Sequence, residues 1–577
     1  MDRAAIDAAL GELGIRRLLL AIHGPSFPAD PDEDIGRGAS GTRAADRLFA
    51  LTRDLGFTGL QLGPEGQTSR DNPSPYDATI FSRDIGTITL ATFDGLVARA
   101  SLDAAIARDA PARIDHRRAF DTSHRLVAEA ATSPDVAPRL GRFRDEHADW
   151  LARDGLYAAL CTHHHGAGFR HWAHDADLWL DDDPARVARR AVLAAEHADA
   201  IERYAVGQLL AHEEHARARA RATSHGLALY GDLQVGYSDR DAWAYGAAFL
   251  PRYAMGAPPS RTNPEGQPWG YPVLDPVQLD GRAGQLVRAR LDKGFTEFDS
   301  LRIDHPHGLV CPWVYRSDTG DAQQAVRDGA RLYESPDLRD HLALGRLAIA
   351  RPGQLDRSKP RHADDWVIAL DRDQVSRYAT LFEIVIDSAR RHGRAPDDLS
   401  CEVLSTLPRP LRCVIERYGL GRWRVTQKAN LDDARDVYRS ETAEPADWVM
   451  LGNHDTRPIF ALVASFSPEQ HENWARHLAA RLALSQPHRA RLAEPGFLAT
   501  AMLAELFACR AENVSIFFAD LFGYTERFNT PGLVSDENWS LRLPSSFAEL
   551  YATRVANGAA LDIPLALELA IAARRGT

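Results

Sequence analysis

Lysine is nearly absent from this 577-residue chain, in which Lys293, Lys359 and Lys428 are the only three. Arginine is therefore the default surface cation, and basic runs such as Arg217-Ala-Arg-Ala-Arg read as solvated helix faces. The net charge of −12 argues against a general binder of nucleic acid or of anionic membranes. Cysteine is scarce as well. The five present (Cys161, Cys311, Cys401, Cys413, Cys509) are scattered and never spaced as CxxC, which fits a reducing compartment. No uninterrupted apolar span of about 20 residues occurs, so no transmembrane helix is expected. The N-terminus is acidic and amphipathic rather than basic then apolar, which excludes a secretory signal and leaves the cytoplasm as the expected location. Low-complexity tracts, heptads and internal repeats are missing too, so neither disorder nor a solenoid is expected.

What is present is the composition of an ordinary globular protein, 45% hydrophobic and 26% charged. Length alone suggests roughly four domains, but a single barrel with insertions absorbs the same length. Eight apolar runs carry strand character. They are Arg17 to His23, Gly59 to Pro64, Leu227 to Leu233, Phe298 to Asp304, Leu399 to Leu404, Trp423 to Lys428, Trp448 to Asp455 and Val514 to Asp520. Most are trailed by polar loop residues and then by a helical pattern such as Thr42 to Leu55, a βαβ rhythm that suits a parallel sheet covered on both faces. The expected fold is one α/β (β/α)8 TIM-type barrel over residues 1–577, with large helical insertions. The insertions are placed at 95–225 and 318–395, both helix-like. Between Leu233 and about residue 285 the chain reads as a long loop, rich in Gly and Pro and interleaved with Trp243, Tyr253, Trp269 and Tyr271; loops of that length are often functional. His163-His164-His165 cannot share one face of a helix or strand, so a solvated cluster is expected there rather than a metal site.

Three of the strand ends carry an acid: Asp304, Glu402 and Asp455. At the C-terminal mouth of a barrel they would converge. Arg302 and Asp304 lie two apart on one strand and so point to the same side, where the cation holds the carboxylate ionised. Glu402 sits between Cys401 and Val403 on an apolar strand, where burial favours the protonated form of a proton donor. Asp455, beside His454, is suited to grip hydroxyls and offset a cationic transition state. Two carboxylates of unlike protonation suffice for glycoside chemistry, and aromatic loop residues offer flat faces on which sugar rings stack. Tyr76 projects from the loop after the second strand. A different chemistry is also legible, since Gly452-Asn-His-Asp matches a metal-binding motif of metallophosphoesterases; its usual partner motif is more than two hundred residues away, at Gly231-Asp232.

Taken in order, His23-Gly-Pro-Ser-Phe-Pro with Asp34-Ile-Gly, Gln61-Leu-Gly-Pro, Ser74-Pro-Tyr, Gly231-Asp-Leu, Met255-Gly-Ala-Pro-Pro, Gly266-Gln-Pro-Trp-Gly, Leu301-Arg-Ile-Asp-His, Asn453-His-Asp, Arg527-Phe-Asn-Thr-Pro-Gly and Asn538-Trp-Ser-Leu-Arg make the chain resemble the amylomaltases, or 4-alpha-glucanotransferases, of glycoside hydrolase family 77. The resemblance implies a barrel with helical inserts and no C-terminal β-domain, and α-1,4-glucan segments (from maltooligosaccharides, glycogen or starch-like polymers) moved from donor to acceptor with retention; no cofactor and no metal are expected. It also implies Asp304 as nucleophile, Glu402 as acid/base, Asp455 as transition-state stabiliser and Arg302 as support for the nucleophile. Tyr76 would stack on the donor sugar, His454 would bind its hydroxyls, and Gln267 and Trp269 would lie along the glucan groove. The sequence departs from the family at Glu402-Val-Leu-Ser, and its Asp304 to Glu402 interval is longer than usual, which puts the 318–395 insertion near the active-site mouth. The same triad serves a retaining α-glucan hydrolase, because both outcomes share one covalent intermediate. A non-catalytic glucan-binding relative is the alternative of another class.

Overall fold

Strands β1 (Arg17–Ala21), β2 (Gly59–Gln61), β3 (Ala228–Leu233), β4 (Ser300–Ile303), β5 (Ser400–Cys401), β6 (Trp423–Val425), β7 (Trp448–Met450) and β8 (Asn513–Phe517) lie side by side in chain order, all parallel. The structure, a computed structural model, describes residues 2–108, 112–260, 263–533 and 535–576. β8 returns to β1, with Leu18 opposite Val514 and Leu20 opposite Ile516. The remaining edges, β5 and β6, meet through one backbone hydrogen bond, the Trp423 amide to the Val403 carbonyl at 3.2 Å, and through Trp423 Nε1 donating to Ser400 Oγ at 2.7 Å. The sheet is thus a nearly closed TIM-type (β/α)8 barrel with a thin seam.

The apolar runs form these strands because both faces are buried. Alternate residues face the helical layer (Leu18, Leu20, Leu229, Leu301, Val449, Val514) or the barrel interior (Leu19, Tyr230, Trp423, Val425, Trp448, Met450). The same alternation decides where the polar residues go. With Leu301 and Ile303 turned outward, Arg302 and Asp304 must point inward; with Cys401 and Val403 outward, so must Glu402.

Between residues 95 and 225 the described chain is mainly helical, with Ala137–His163 packed on Ala198–Ser224. The stretch expected to be a loop after β3 is different: Phe249–Ala257 and Gln267–Leu274 pair as an antiparallel hairpin. Trp313–Arg316 and Ala330–Arg331 extend it to a four-stranded sheet. Pro268 and Pro272 are tolerated because Gln267–Leu274 is an edge strand, where a missing N–H costs no ladder bond. Residues 318–395, expected to be helical, are mixed. They hold a short helix (Ala322–Arg327), the last strand of that sheet, 3-10 turns and two helices, Arg372–Tyr378 and Thr380–Arg391. Thr380–Arg391 packs against Arg282–Glu297 and so belongs to the ring around the barrel. After β8, helices Phe547–Ala556 and Ile563–Gly576 follow and, among the described residues, no further strand. No helix of the described residues is long and apolar enough to cross a membrane.

Candidate active site

Arg302, at the end of β4, is the hub of the barrel mouth. Its side chain is 1% exposed, and its guanidinium reaches acids from three strands. Nη1 donates to both oxygens of Asp232 at 2.6 Å, and Nη2 donates to Asp304 Oδ1 at 3.0 Å. Nη2 also lies 2.7 Å from Glu402 Oε2 as an ion pair. The ring of Trp423 lies beneath the guanidinium, 4.7 Å from Cζ to centroid. Tyr76, on the 3-10 turn Pro75–Asp77 after β2, donates its hydroxyl to Asp232 Oδ2 at 3.0 Å.

Asp304 is held from every side. Besides Arg302, its Oδ1 is 3.2 Å from His305 Nδ1, and its Oδ2 accepts from the Val235 amide at 3.1 Å. His305 adopts a left-handed backbone (φ 39°), and this turn folds its ring back over the carboxylates. Its Nδ1 is also 3.2 Å from Glu402 Oε2. One oxygen of Asp304, one of Glu402 and the His305 nitrogen all fall within 4.8 Å of one another.

The electrostatics follow from this crowding. Burial opposes ionisation of Asp304, but the charges of Arg302 and His305 outweigh it and hold the carboxyl well below the usual carboxylate range. Burial works against the charge on His305 too, yet the facing Asp304 and Glu402 hold its imidazole protonated well above the ordinary histidine value. For Asp232 burial wins: against the pull of Arg302 it is pushed up to about 7. Two cations, Arg302 and His305, thus stand among the carboxylates of Asp232, Asp304 and Glu402. Arg302 Nη2 takes the cation position between Asp304 and Glu402.

Asp455 stands apart from the hub. Its Oδ1 accepts from Asn529 Nδ2 at 2.6 Å, its amide donates to Asn453 Oδ1 at 3.1 Å, and His454 Nε2 is 3.5 Å from its Oδ2. His454 belongs to an aromatic wall: it stacks on Tyr76 at 5.1 Å and 21° and meets His23 at 5.3 Å and Trp539 at 5.8 Å. His23 is wholly buried with neither ring nitrogen hydrogen-bonded, and burial, with His454 and Arg302 nearby, drives its basicity well down. Gly63 makes room for that ring, since a Cβ there would lie 2.1 Å from His23 Cδ2. On the opposite side, Trp269 meets His305 edge-on at 5.2 Å and donates its Nε1 to Gln267 Oε1 at 3.1 Å. Both line a cleft of ≈ 950 Å³ that reaches Glu402.

Every residue expected from sequence therefore sits around this mouth, with Arg302, Asp304, Glu402 and Tyr76 in one network and Asp455 and His454 in a neighbouring one. Sequence reasoning missed His305, Asp232, Asn529, His23 and Trp539 as site residues. Asp232 carried a usable signal, a charged residue closing an apolar strand, and His305 adjoined the acid it serves. Asn529 and Trp539 lie on irregular chain after β8, where periodicity says nothing.

A family model described as 4-alpha-glucanotransferase matches residues 26–547. The chain belongs to this family. It is 21% identical over 438 residues to the 4-alpha-glucanotransferase of Chlamydia pneumoniae, covering 72% of this chain and 69% of that protein. It is 26% identical over 302 residues to the chloroplastic/amyloplastic 4-alpha-glucanotransferase of Oryza sativa subsp. japonica, covering 47% of this chain and 48% of that protein. The matched segments span about half the length of the two plant relatives. Among solved structures, the amylomaltase from Streptococcus agalactiae in complex with acarbose superposes with a TM-score of 0.73 at 16% identity, over 94% of this chain and 100% of that one. The amylomaltase from Corynebacterium glutamicum gives 0.65 at 17%, over 97% of this chain and 77% of that one. The span matched by the 4-alpha-glucanotransferase model contains every residue of the mouth described above except His23.

Proposed function

We propose that this chain is a 4-alpha-glucanotransferase, which transfers α-1,4-glucan segments from maltodextrin donors to glucan or glucose acceptors with retention. Asp304, the ionised acid, attacks the anomeric carbon of the donor sugar and forms a glycosyl ester. Glu402 gives its proton to the leaving glycosidic oxygen. In the second half Glu402 takes the proton of the acceptor hydroxyl as that oxygen displaces Asp304. Asp455, oriented by Asn529, faces the cationic character of the transition state. Tyr76 and His454 form the flat surface for the donor sugar, and Gln267 and Trp269 lie along the glucan groove.

The observation that carries this reading is the closeness of two unlike acids: the Asp304 and Glu402 oxygens lie within 4.8 Å. Retaining enzymes need roughly 5 Å between such groups, whereas inverting ones keep about 6.5 Å or more for an intervening water. The family supports transfer over hydrolysis, and the five unpaired cysteines suit the cytoplasm. Incubation with maltotriose tests the reading. Glucose together with oligomers longer than the donor is the expected product ladder; a ladder of shorter sugars alone would make the protein a hydrolase.

A further inference from the structure

The cleft that adjoins Glu402, Gln267 and Trp269 is more cationic than a neutral glucan requires. Among the described residues lining it, Glu402 is the only acid, against Arg331, Lys428 and a His305 already paired with Asp304 and Glu402, while burial pushes His307 down to about 3 and leaves it neutral. Arg331 is 2% exposed. Its Nη2 donates to the His362 carbonyl at 3.0 Å, while its Nε makes no hydrogen bond. The nearest acid, Glu334, is 3.6 Å from Nε, too far to accept, and its Oε1 is unpartnered too. Burial pushes Glu334 up to about 7, so it neutralises Arg331 only in part. Asp364 is the other acid in electrostatic reach, and it is engaged by the Leu407 amide at 2.8 Å.

Lys428 is the second cation, on the 3-10 turn Thr426–Lys428 after β6. The other two lysines of the chain each hold a carboxylate, Lys293 with Glu297 at 2.6 Å and Lys359 with Asp365. Lys428 has no such partner among the described residues. An arginine supplied by the segment between β4 and β5 and a free lysine supplied by the segment after β6 thus face one cavity. Sugar rings stack on aromatic faces and their hydroxyls bond to amides, groups that Trp269, Gln267 and Asn263 already provide. Two cations lining one cavity match an anion of two charges.

We propose that this cleft binds a phosphorylated sugar, which serves as the glucan acceptor. The proposal rests on the glucanotransferase reading for its chemistry. A free sugar hydroxyl attacks the anomeric carbon of the glycosyl-Asp304 ester, the new C–O bond forms as the bond to the Asp304 oxygen breaks, and the hydroxyl proton passes to the Glu402 carboxylate. The phosphate is unchanged throughout, anchored by Lys428 and Arg331.

Maltotriose is supplied as donor with glucose, glucose 1-phosphate or glucose 6-phosphate as acceptor, and products are resolved by mass spectrometry. One of the phosphorylated acceptors is expected to exceed glucose in kcat/KM by about tenfold or more, the size of a charge-assisted contact. Lys428→Gln, at a half-exposed position, is expected to reduce that ratio about fivefold or more. A ratio of one or below for both phosphates, or a ratio that Lys428→Gln leaves unchanged, overturns the proposal. If maltotriose is not turned over at all, the transferase reading fails separately, and calorimetric titration with the two sugar phosphates reads the cleft without chemistry. Binding tighter than that of glucose and weakened by Lys428→Gln then sustains the anion site; binding equal to that of glucose overturns it.

Discussion

Asp304 and Glu402 share a single nitrogen atom: Arg302 Nη2 lies 3.0 Å from the first and 2.7 Å from the second. One guanidinium nitrogen therefore pairs with both acids, and a change at Arg302 reaches both. What differs between the two acids is the rest of the surroundings. Asp304 has in addition the Val235 amide and is held ionised; Glu402 stands on the seam strand next to the open cleft.

The first prediction separates nucleophile from acid. Asp304→Asn and Glu402→Gln should each lower maltotriose turnover by about a thousandfold or more, ~4 kcal/mol of barrier, and the double variant should lose little beyond either single one. With α-maltosyl fluoride, whose leaving group needs no proton, Glu402→Gln should recover much of its rate and Asp304→Asn should not. Equal recovery by both variants would reverse the assignment.

His305 governs the acid side of the pH profile. Its charge helps keep Asp304 ionised, so His305→Asn, a residue that tolerates the left-handed turn, should move the acid limb of kcat/KM to higher pH. The linkage has two windows. The raised His305 contributes stability that is full below its unfolded value near about 6.5 and is lost as pH rises through its elevated folded value. The depressed Asp304 contributes stability that is full above about 3.9 and is lost as pH falls through its lowered value. Urea titrations of parent and variant across pH 4 to 9 should converge at the alkaline end; a constant difference would deny His305 this part.

Arg302 is a structural centre as well as a site residue. Replacing it with Met leaves three enclosed carboxylates without their main counter-charge, and breaking a buried pair costs about 3–5 kcal/mol. The loss should be greatest near pH 7 and shrink toward pH 5 as the acids protonate, which equilibrium unfolding at the two pH values measures. Arg302→Lys should recover only part of it, because an ammonium cannot reach Asp232, Asp304 and Glu402 from one plane.

Tyr76 offers a test of the donor surface. Tyr76→Phe keeps the face stacked on His454 and loses the hydroxyl bond to Asp232, whereas Tyr76→Ala loses both. Tyr76→Ala should raise KM for maltotriose about fivefold to tenfold, in line with ~1–1.5 kcal/mol of aromatic contact. It should also increase the glucose released to water, since the wall that excludes it is breached. Unchanged product ratios would remove Tyr76 from the donor site.

The barrel was legible because its strands are buried on both faces and so appear as apolar runs, and Arg302, Asp304 and Glu402 were legible because a period of two fixes which way they point. The four-stranded sheet was not. Phe249–Ala257 carries Pro251 and Gly256, and Gln267–Leu274 carries Pro268, Gly270 and Pro272. Such residues mark loops unless the strand lies at an edge, and edge position is a tertiary fact. His305 escaped for a related reason: its approach to Asp304 and Glu402 depends on a backbone turn that a residue pattern does not encode. Asp232 was visible as a charged strand end, but its share in Arg302 is a matter of barrel closure.

The seam between β5 and β6 gives the barrel a direction of compliance. Elsewhere a strand is locked to its neighbours by a ladder; here one amide at Trp423 holds Val403, the residue next to Glu402. A sugar ring entering between Asp304 and Glu402 must spread oxygens that lie within 4.8 Å. There the barrel is held by a few separate bonds, the Trp423 amide to Val403, Trp423 Nε1 to Ser400 Oγ and Arg422 to the Leu404 carbonyl, rather than by a ladder. Glu402 stands at the edge of that sparse joint, tied to β4 by its own amide to the Ile303 carbonyl, so a load placed on the joint passes into the wall that carries Asp304.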